Sequence, residues 1–249
     1  IGDKYFSKIK INFDKKKIIE FFRKNSIPYV EYYPENILLI IYEKNKFNEY
    51  FLSKNNNFYS YFNKNLSTNS LFKIPKLDIN DRYILNKQDI KKRNFNKVIN
   101  FSQKYNLNEI IIVIADLNNE DINYNLIFLS KGQIFEKKKK YNKINFKEFY
   151  KTLEIESINM WKKLNHIQND TVSLISCNID YFNILELKEI RKKLKKISII
   201  KNLNIKSLSF KNIEYDIYYY GNFKIFTKIL DMNKLKLKHL NNNCSISLI

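Results

Sequence analysis

The stretch Glu109-Ile110-Ile111-Ile112-Val113-Ile114-Ala115-Asp116-Leu117 is the most apolar run in the chain. It is rich in β-branched residues and bounded by polar ones, the pattern of a strand buried on both faces. Such a strand needs neighbours on either side and layers above and below it. The spacing around it supplies them. Upstream, Asn94 is placed to cap a helix whose Phe95, Val98, Ser102 and Tyr105 share one face, and Asn106 to Asn108 ends it. Further upstream, Ile37 to Tyr42 reads as a second apolar strand and Phe47 to Leu52 as a third. Downstream, Ile122 to Leu129 and Ile134 to Tyr141 flank Lys131-Gly132-Gln133, a hairpin signal. The longest helix is predicted over Phe146 to Leu164, with Phe146, Phe149, Tyr150, Leu153, Met160, Trp161 and Leu164 on its apolar stripe.

The two ends extend this pattern. Tyr5 to Phe13 alternates as a strand, and Asp14 caps a helix carrying Ile18, Ile19 and Phe22. After a linker over Asn165 to Asp170 comes a compact series. A strand over Val172 to Tyr181 leads to a helix capped by Asn183, with Ile184, Leu187, Ile190 and Leu194 on its core face. Segments Ile197 to Ile200 and Ile205 to Phe210 lead to a strand near Glu214 to Tyr220, a helix after Gly221-Asn222, and a closing hairpin around Asn241 to Asn243. This is β-α-β-β-α-β, the ferredoxin-like order, with its last strand extended into a hairpin. The expected class is α/β, α+β in detail. A mixed-sheet domain is expected over residues 1–168 and a ferredoxin-like domain over 169–249.

Composition narrows function mainly by exclusion. The 249 residues carry 45 Lys+Arg against 25 Asp+Glu, a formal charge of +20. Such a charge raises nucleic acid or an anionic membrane as partners. Arginine, however, occurs only at positions 23, 82, 93 and 191, the sole alanine is Ala115, and Lys, Asn, Ile, Phe and Tyr dominate. That bias is the codon signature of an AT-rich genome, in which lysine fills exposed positions by default. No run of eighteen apolar residues crosses a membrane as a helix. Three glycines cannot build a phosphate-cradling loop, and two cysteines without a Cys/His cluster argue against zinc. No metal or cofactor is therefore expected, and no small-molecule substrate is evident.

Five groups of residues stand as candidates. Asp78 and Asp81 are three apart, a spacing open to an acid and base pair or to a metal. With no His or Cys nearby, capping and turning the chain is the preferred reading. His166 and His239, the only histidines, have no identifiable nucleophile or base and read as surface residues. Lys137 to Lys140 suits an edge strand protected from aggregation. Tyr218, Tyr219 and Tyr220 offer a stacking platform for bases, but half of such a strand must face its own core. The helix bearing Lys188, Arg191, Lys192, Lys195 and Lys196 is the most interesting patch, suited to an anionic lipid surface or nucleic acid if it is more than a solvated outer face. In a ferredoxin-like module the first and last strands are neighbours, which brings Cys177 towards Cys244. Two buried thiols are preferred over a disulfide, because bridging adjacent strands demands a particular geometry.

The order of pieces resembles the bacterial family called domain of unknown function 2066. Four places carry the resemblance. They are Phe13-Asp14 with Ile27-Pro28 and the strand Ile37 to Ile41; the stretch Ile74-Pro75-Lys76-Leu77-Asp78-Ile79-Asn80-Asp81; Tyr105 before the strand Ile110 to Ala115; and the tail with Leu194-Lys195-Lys196-Ile197 and Tyr220-Gly221. The chain departs from that family in replacing small and arginine residues with Lys, Asn and Ile. The resemblance implies an exported, cell-envelope protein and carries over no catalytic residue. The start Ile1-Gly2-Asp3, without methionine, fits either removal of an upstream segment, as a cleaved signal peptide would leave, or a piece of a longer chain. The expected function is a non-enzymatic envelope protein, periplasmic as the resemblance implies, that meets a protein partner or a membrane surface. The alternative is a cytosolic nucleic-acid binder using the basic helix.

Overall fold

The computed structural model describes residues 10, 12–65, 70–118, 121–130, 132–142, 145–167, 171–209, 212–240 and 243–249. In chain order these form α1 (Lys15–Lys24), β1 (Ile37–Asn45), β2 (Glu49–Phe51), α2 (Asn57–Asn65), β3 (Phe72–Lys73), α3 (Ile79–Ile84), α4 (Lys87–Lys91), α5 (Phe95–Gln103) and β4 (Glu109–Asn118). They continue with β5 (Asp121–Ser130), β6 (Gln133–Tyr141), α6 (Phe146–Asn165), β7 (Val172–Ile179), α7 (Ile184–Lys196), β8 (Ile200–Leu208), β9 (Ile213–Tyr220), α8 (Phe223–Met232), β10 (Leu235–Leu240) and β11 (Asn243–Leu248). Two mixed sheets with helices make the fold α+β. The strand expected over Tyr5 to Phe13 lies, apart from Lys10, Asn12 and Phe13, outside the described residues.

Two compact units emerge from the internal contacts. One is Tyr33–Leu164; the other joins Ile1–Tyr32 to Asn165–Ile249. The sequence reading drew its single division after residue 168, whereas α1 packs with the C-terminal elements. Tyr29 pairs with Ile167 in an isolated bridge, and an Arg23 guanidinium nitrogen donates to the Ser198 carbonyl at 2.5 Å.

In the first unit β4 is the middle strand of the order β2-β1-β4-β5-β6, with β3 beside β1. It runs parallel to β1, Ile37 opposite Glu109, and antiparallel to β5. Ile110 to Val113 are buried in succession, as are Ile37 to Tyr42 on β1. Runs of that kind are what cover on both faces requires, and each branched side chain contributes on the order of 1.5–3 kcal/mol by leaving water. Phe149 of α6 meets Tyr124 of β5 edge-on at 5.1 Å and Phe58 of α2 at 5.2 Å, which seats both helices on one aromatic layer. Among the described residues β6 pairs only with β5 and forms the lysine-bearing edge. Its lysines are not idle. Lys137 (2.7 Å) and Lys139 both reach Glu156 of α6, and Lys140 reaches Asp121 at 2.6 Å. Burial alone would raise the Glu156 carboxyl, but the two lysines hold it below its ordinary range.

The second unit has the expected element order, but its sheet departs from the ferredoxin-like one. The strand order is β10-β11-β7-β9-β8. The return strand β11, not β10, lies beside β7, and the two are parallel. On β9, Ile213, Tyr215, Ile217 and Tyr219 are buried while the alternate residues are half-exposed. Phe226 of α8 stacks on Tyr219 at 4.2 Å and Arg191 of α7 lies over Tyr215 at 6.0 Å, so both helices cover the same face. The two segments read between Ile197 and Phe210 are one strand, β8, whose irregularities are absorbed as register shifts near Asn202 and Ser207. The expectation of two free thiols is overturned. One step back along the β7–β11 register from Asn178 and Ser245, Cys177 and Cys244 face each other with Cα atoms 4.5 Å apart, and they are joined.

Candidate functional site

The surface that gathers most of the sequence candidates is the outer side of α7. Its start is firmly fixed. The Asn183 side chain accepts from the Leu185 and Glu186 amides at 3.0 and 2.9 Å, and the Glu186 carboxylate accepts from the Phe182 amide at 2.7 Å. Leu187, Ile190 and Leu194 are buried at helical spacing. The opposite stripe therefore comprises Leu185, Lys188, Lys192, Lys195 and Lys196, all exposed. Among the described residues these four lysines take part in no ion pair; Lys193, by contrast, pairs with Glu189 at 3.3 Å. Arg191, counted with them from sequence, is only half-exposed and turns its guanidinium to the Tyr215 ring.

Three apolar side chains crown the same helix. Phe182 is 97% exposed, Leu185 71% and Ile184 60%. Sequence reasoning placed Ile184 on the core face, and the structure corrects this. Ile184 keeps the three-residue spacing to Leu187 but sits at the first position of the helix and is exposed, so the buried stripe begins at Leu187. The signal that was available is the run Phe182-Asn183-Ile184-Leu185 around a capping asparagine: only Leu187 and later positions are needed by the core.

At the other end of α7 the chain bounds an open groove of about 1010 Å³. Lys195 and Lys196 line it with Lys15 and Arg23 of α1, Lys201 of β8 and Tyr220 of β9. Arg23 is committed to structure: its guanidinium lies 4.3 Å over the Tyr220 ring and donates to the Tyr29 hydroxyl at 2.7 Å. Burial pushes the Tyr29 phenol up to about 12, against the pull of Arg23. Lys15 pairs with Glu31 at 3.0 Å. Tyr220 is thus capped by Arg23, and Tyr219 is buried against Phe226, which leaves Tyr218 as the exposed partner of the three only in part.

The remaining candidates have structural roles. Asp78 caps α3, accepting from the Asp81 amide at 2.8 Å, a bond that holds its carboxyl below the usual range. Asp81 is wholly buried. It accepts from the Leu77 amide at 2.8 Å, the Tyr105 hydroxyl at 2.6 Å and the Lys104 ammonium at 2.7 Å. Burial, reinforced by Asp81, pushes the Tyr105 phenol far up. Two places that carried the family resemblance are therefore one hydrogen-bonded cluster. His239 is exposed, its ring 5.4 Å from that of Phe223, and His166 is half-buried. Among the described residues there is no group of three or more His, Cys, Asp or Glu that could hold a metal ion, and no helix long and apolar enough to cross a membrane.

No family model matches the chain, and no curated protein does. Among solved structures, the LpoB C-terminal domain from Salmonella enterica is similar at 11% identity and a TM-score of 0.31, over 51% of this chain and 95% of that one. A likeness at that level carries no argument about this protein.

Proposed function

We propose that this is a non-enzymatic protein of an oxidising compartment, the cell envelope, acting by contact with a partner protein or a membrane surface. The observation that carries the reading is the Cys177–Cys244 bond. Disulfides persist in secreted and periplasmic proteins and are rare where thiols are kept reduced. The resemblance to domain of unknown function 2066 points to the same compartment. The carboxylates that sequence offered for catalysis are spent on capping α3 and on a buried cluster, which favours binding over chemistry. The test is fractionation of the full-length gene product, with sequencing of its mature N-terminus and thiol labelling before and after reduction. Recovery outside the cytoplasm with both thiols protected until reduction is expected. A cytosolic protein whose thiols label without reductant overturns the reading. In that case Lys188, Lys192, Lys195 and Lys196 of α7, which take part in no ion pair among the described residues, support the second reading, a nucleic-acid binder.

A further inference from the structure

Resting on the membrane-surface form of that function, we infer that α7 docks flat on an anionic lipid bilayer, its N-terminal tip inserted and its lysine stripe over the headgroups. Three features converge. Phe182, Ile184 and Leu185 form an exposed apolar cluster at one end of the helix. Lys188, Lys192, Lys195 and Lys196 continue the same stripe at helical spacing and are not neutralised by acids among the described residues. Of the two acids on α7, Glu189 is held by Lys193 and Glu186 accepts from the Phe182 amide. From Phe182 to Lys196 the surface extends about 20 Å at 1.5 Å per residue, enough for several headgroups.

Charge and shape select the occupant. A protein partner needs a complementary acidic groove, and a single-stranded nucleic acid could stack a base on Phe182 but gains nothing from the leucine and isoleucine exposed beside it on a convex helix end. An anionic bilayer accepts both halves, since apolar side chains enter the acyl boundary while lysines meet lipid phosphates. Asn183 and Glu186 bind the first-turn amides and the Phe182 amide, so the tip is presented in a fixed geometry with little ordering left to do. The stems of the lysines can lie along the boundary while their ammonium groups stay in water.

The experiment is co-sedimentation of the oxidised full chain with vesicles of phosphatidylcholine mixed with phosphatidylglycerol, and with vesicles of phosphatidylcholine alone. Binding to the anionic vesicles only is expected. Lys188→Gln with Lys192→Gln should weaken it about 25-fold, each lysine near a surface being worth roughly fivefold. Phe182→Ser with Leu185→Ser should weaken it at least about tenfold. Lys236→Gln with Lys238→Gln, exposed on β10 of the same unit, should leave it unchanged. A Phe182→Trp protein should be quenched by brominated lipid. Far-UV melting of each variant checks that it is folded. Equal binding to neutral vesicles, equal loss in the β10 control, or binding without quenching overturns the proposal, as does a preference for duplex DNA that the α7 lysines control while vesicle binding does not depend on them. A protein exported with its disulfide intact that ignores vesicles removes this inference and leaves the proposed function; a reduced cytosolic protein removes that function whatever the vesicles show.

Discussion

At the scale of single residues, two carboxylates show how environment decides what a charge does. Asp81 has no access to water, yet it receives a backbone amide, a phenol and an ammonium. Removing it strands Lys104 and the Tyr105 hydroxyl, and breaking a buried pair is costly. Asp81→Ala should therefore lower stability by about 3 kcal/mol in urea titration. Glu49 is the opposite case, part-exposed between Lys91 (2.9 Å) and Lys87 (3.2 Å). Lys91 first, then the Tyr42 hydroxyl, with Lys87 assisting, lowers its carboxyl from the ordinary 4.5 to about 2. A lowered folded-state value means the unfolded chain takes up the proton first as pH falls. Its stabilisation is present above about pH 4.5 and is lost as pH falls towards 2. Glu49→Gln should thus be less stable than the parent at pH 7, by less than about 1 kcal/mol for a surface pair, and the gap should close across that acid window. Denaturation at several pH values reads this directly. The roles of Asp78 as cap and of Lys137 to Lys140 on an edge were legible in the sequence, because capping and edge protection are local. The Asp81–Tyr105 contact was not, since 24 residues of chain separate its partners.

At the scale of elements, legibility followed length and period. β4 and β1 announce themselves because a double-faced strand must be apolar at every position. α3 and α4, six and five residues long, were missed. Neither is long enough to show a period, and the only local sign of α4 is its capping box between Asn86 and Asp89. In the second unit the element order was readable but the sheet order was not. Nothing local says that a hairpin will insert its return strand beside β7, because the choice lies in pairing between distant segments. The disulfide ties those two strands across 67 residues. A closed loop of that size restricts the unfolded chain by about 4 kcal/mol on the entropy model. Replacing both cysteines with serine should cost about that much, measured by urea denaturation against the oxidised parent.

At the scale of the whole molecule, the charge of +20 sets the terms. Lysines brought together by folding repel one another, while individual surface ion pairs contribute little. The Debye length falls from about 30 Å at 0.01 M salt to about 8 Å at 0.15 M, so long-range repulsion is screened more than contacts at 3 Å. Melting temperature should therefore rise between those salt concentrations, a rise that calorimetry would detect; a fall would show that the ion pairs outweigh the net charge. The grouping of α1 with the C-terminal elements was invisible in sequence for the same reason as the strand order: the Arg23–Ser198 bond spans 175 residues. The bond between Cys177 and Cys244 has one more consequence. It closes a covalent ring that contains α7, β8, β9, α8 and β10 whole, with the end of β7 and the start of β11. A protease that cuts once anywhere inside that ring changes the connectivity without releasing a piece, so the nicked chain keeps its full mass on a non-reducing gel and parts into two fragments only when a reductant is added.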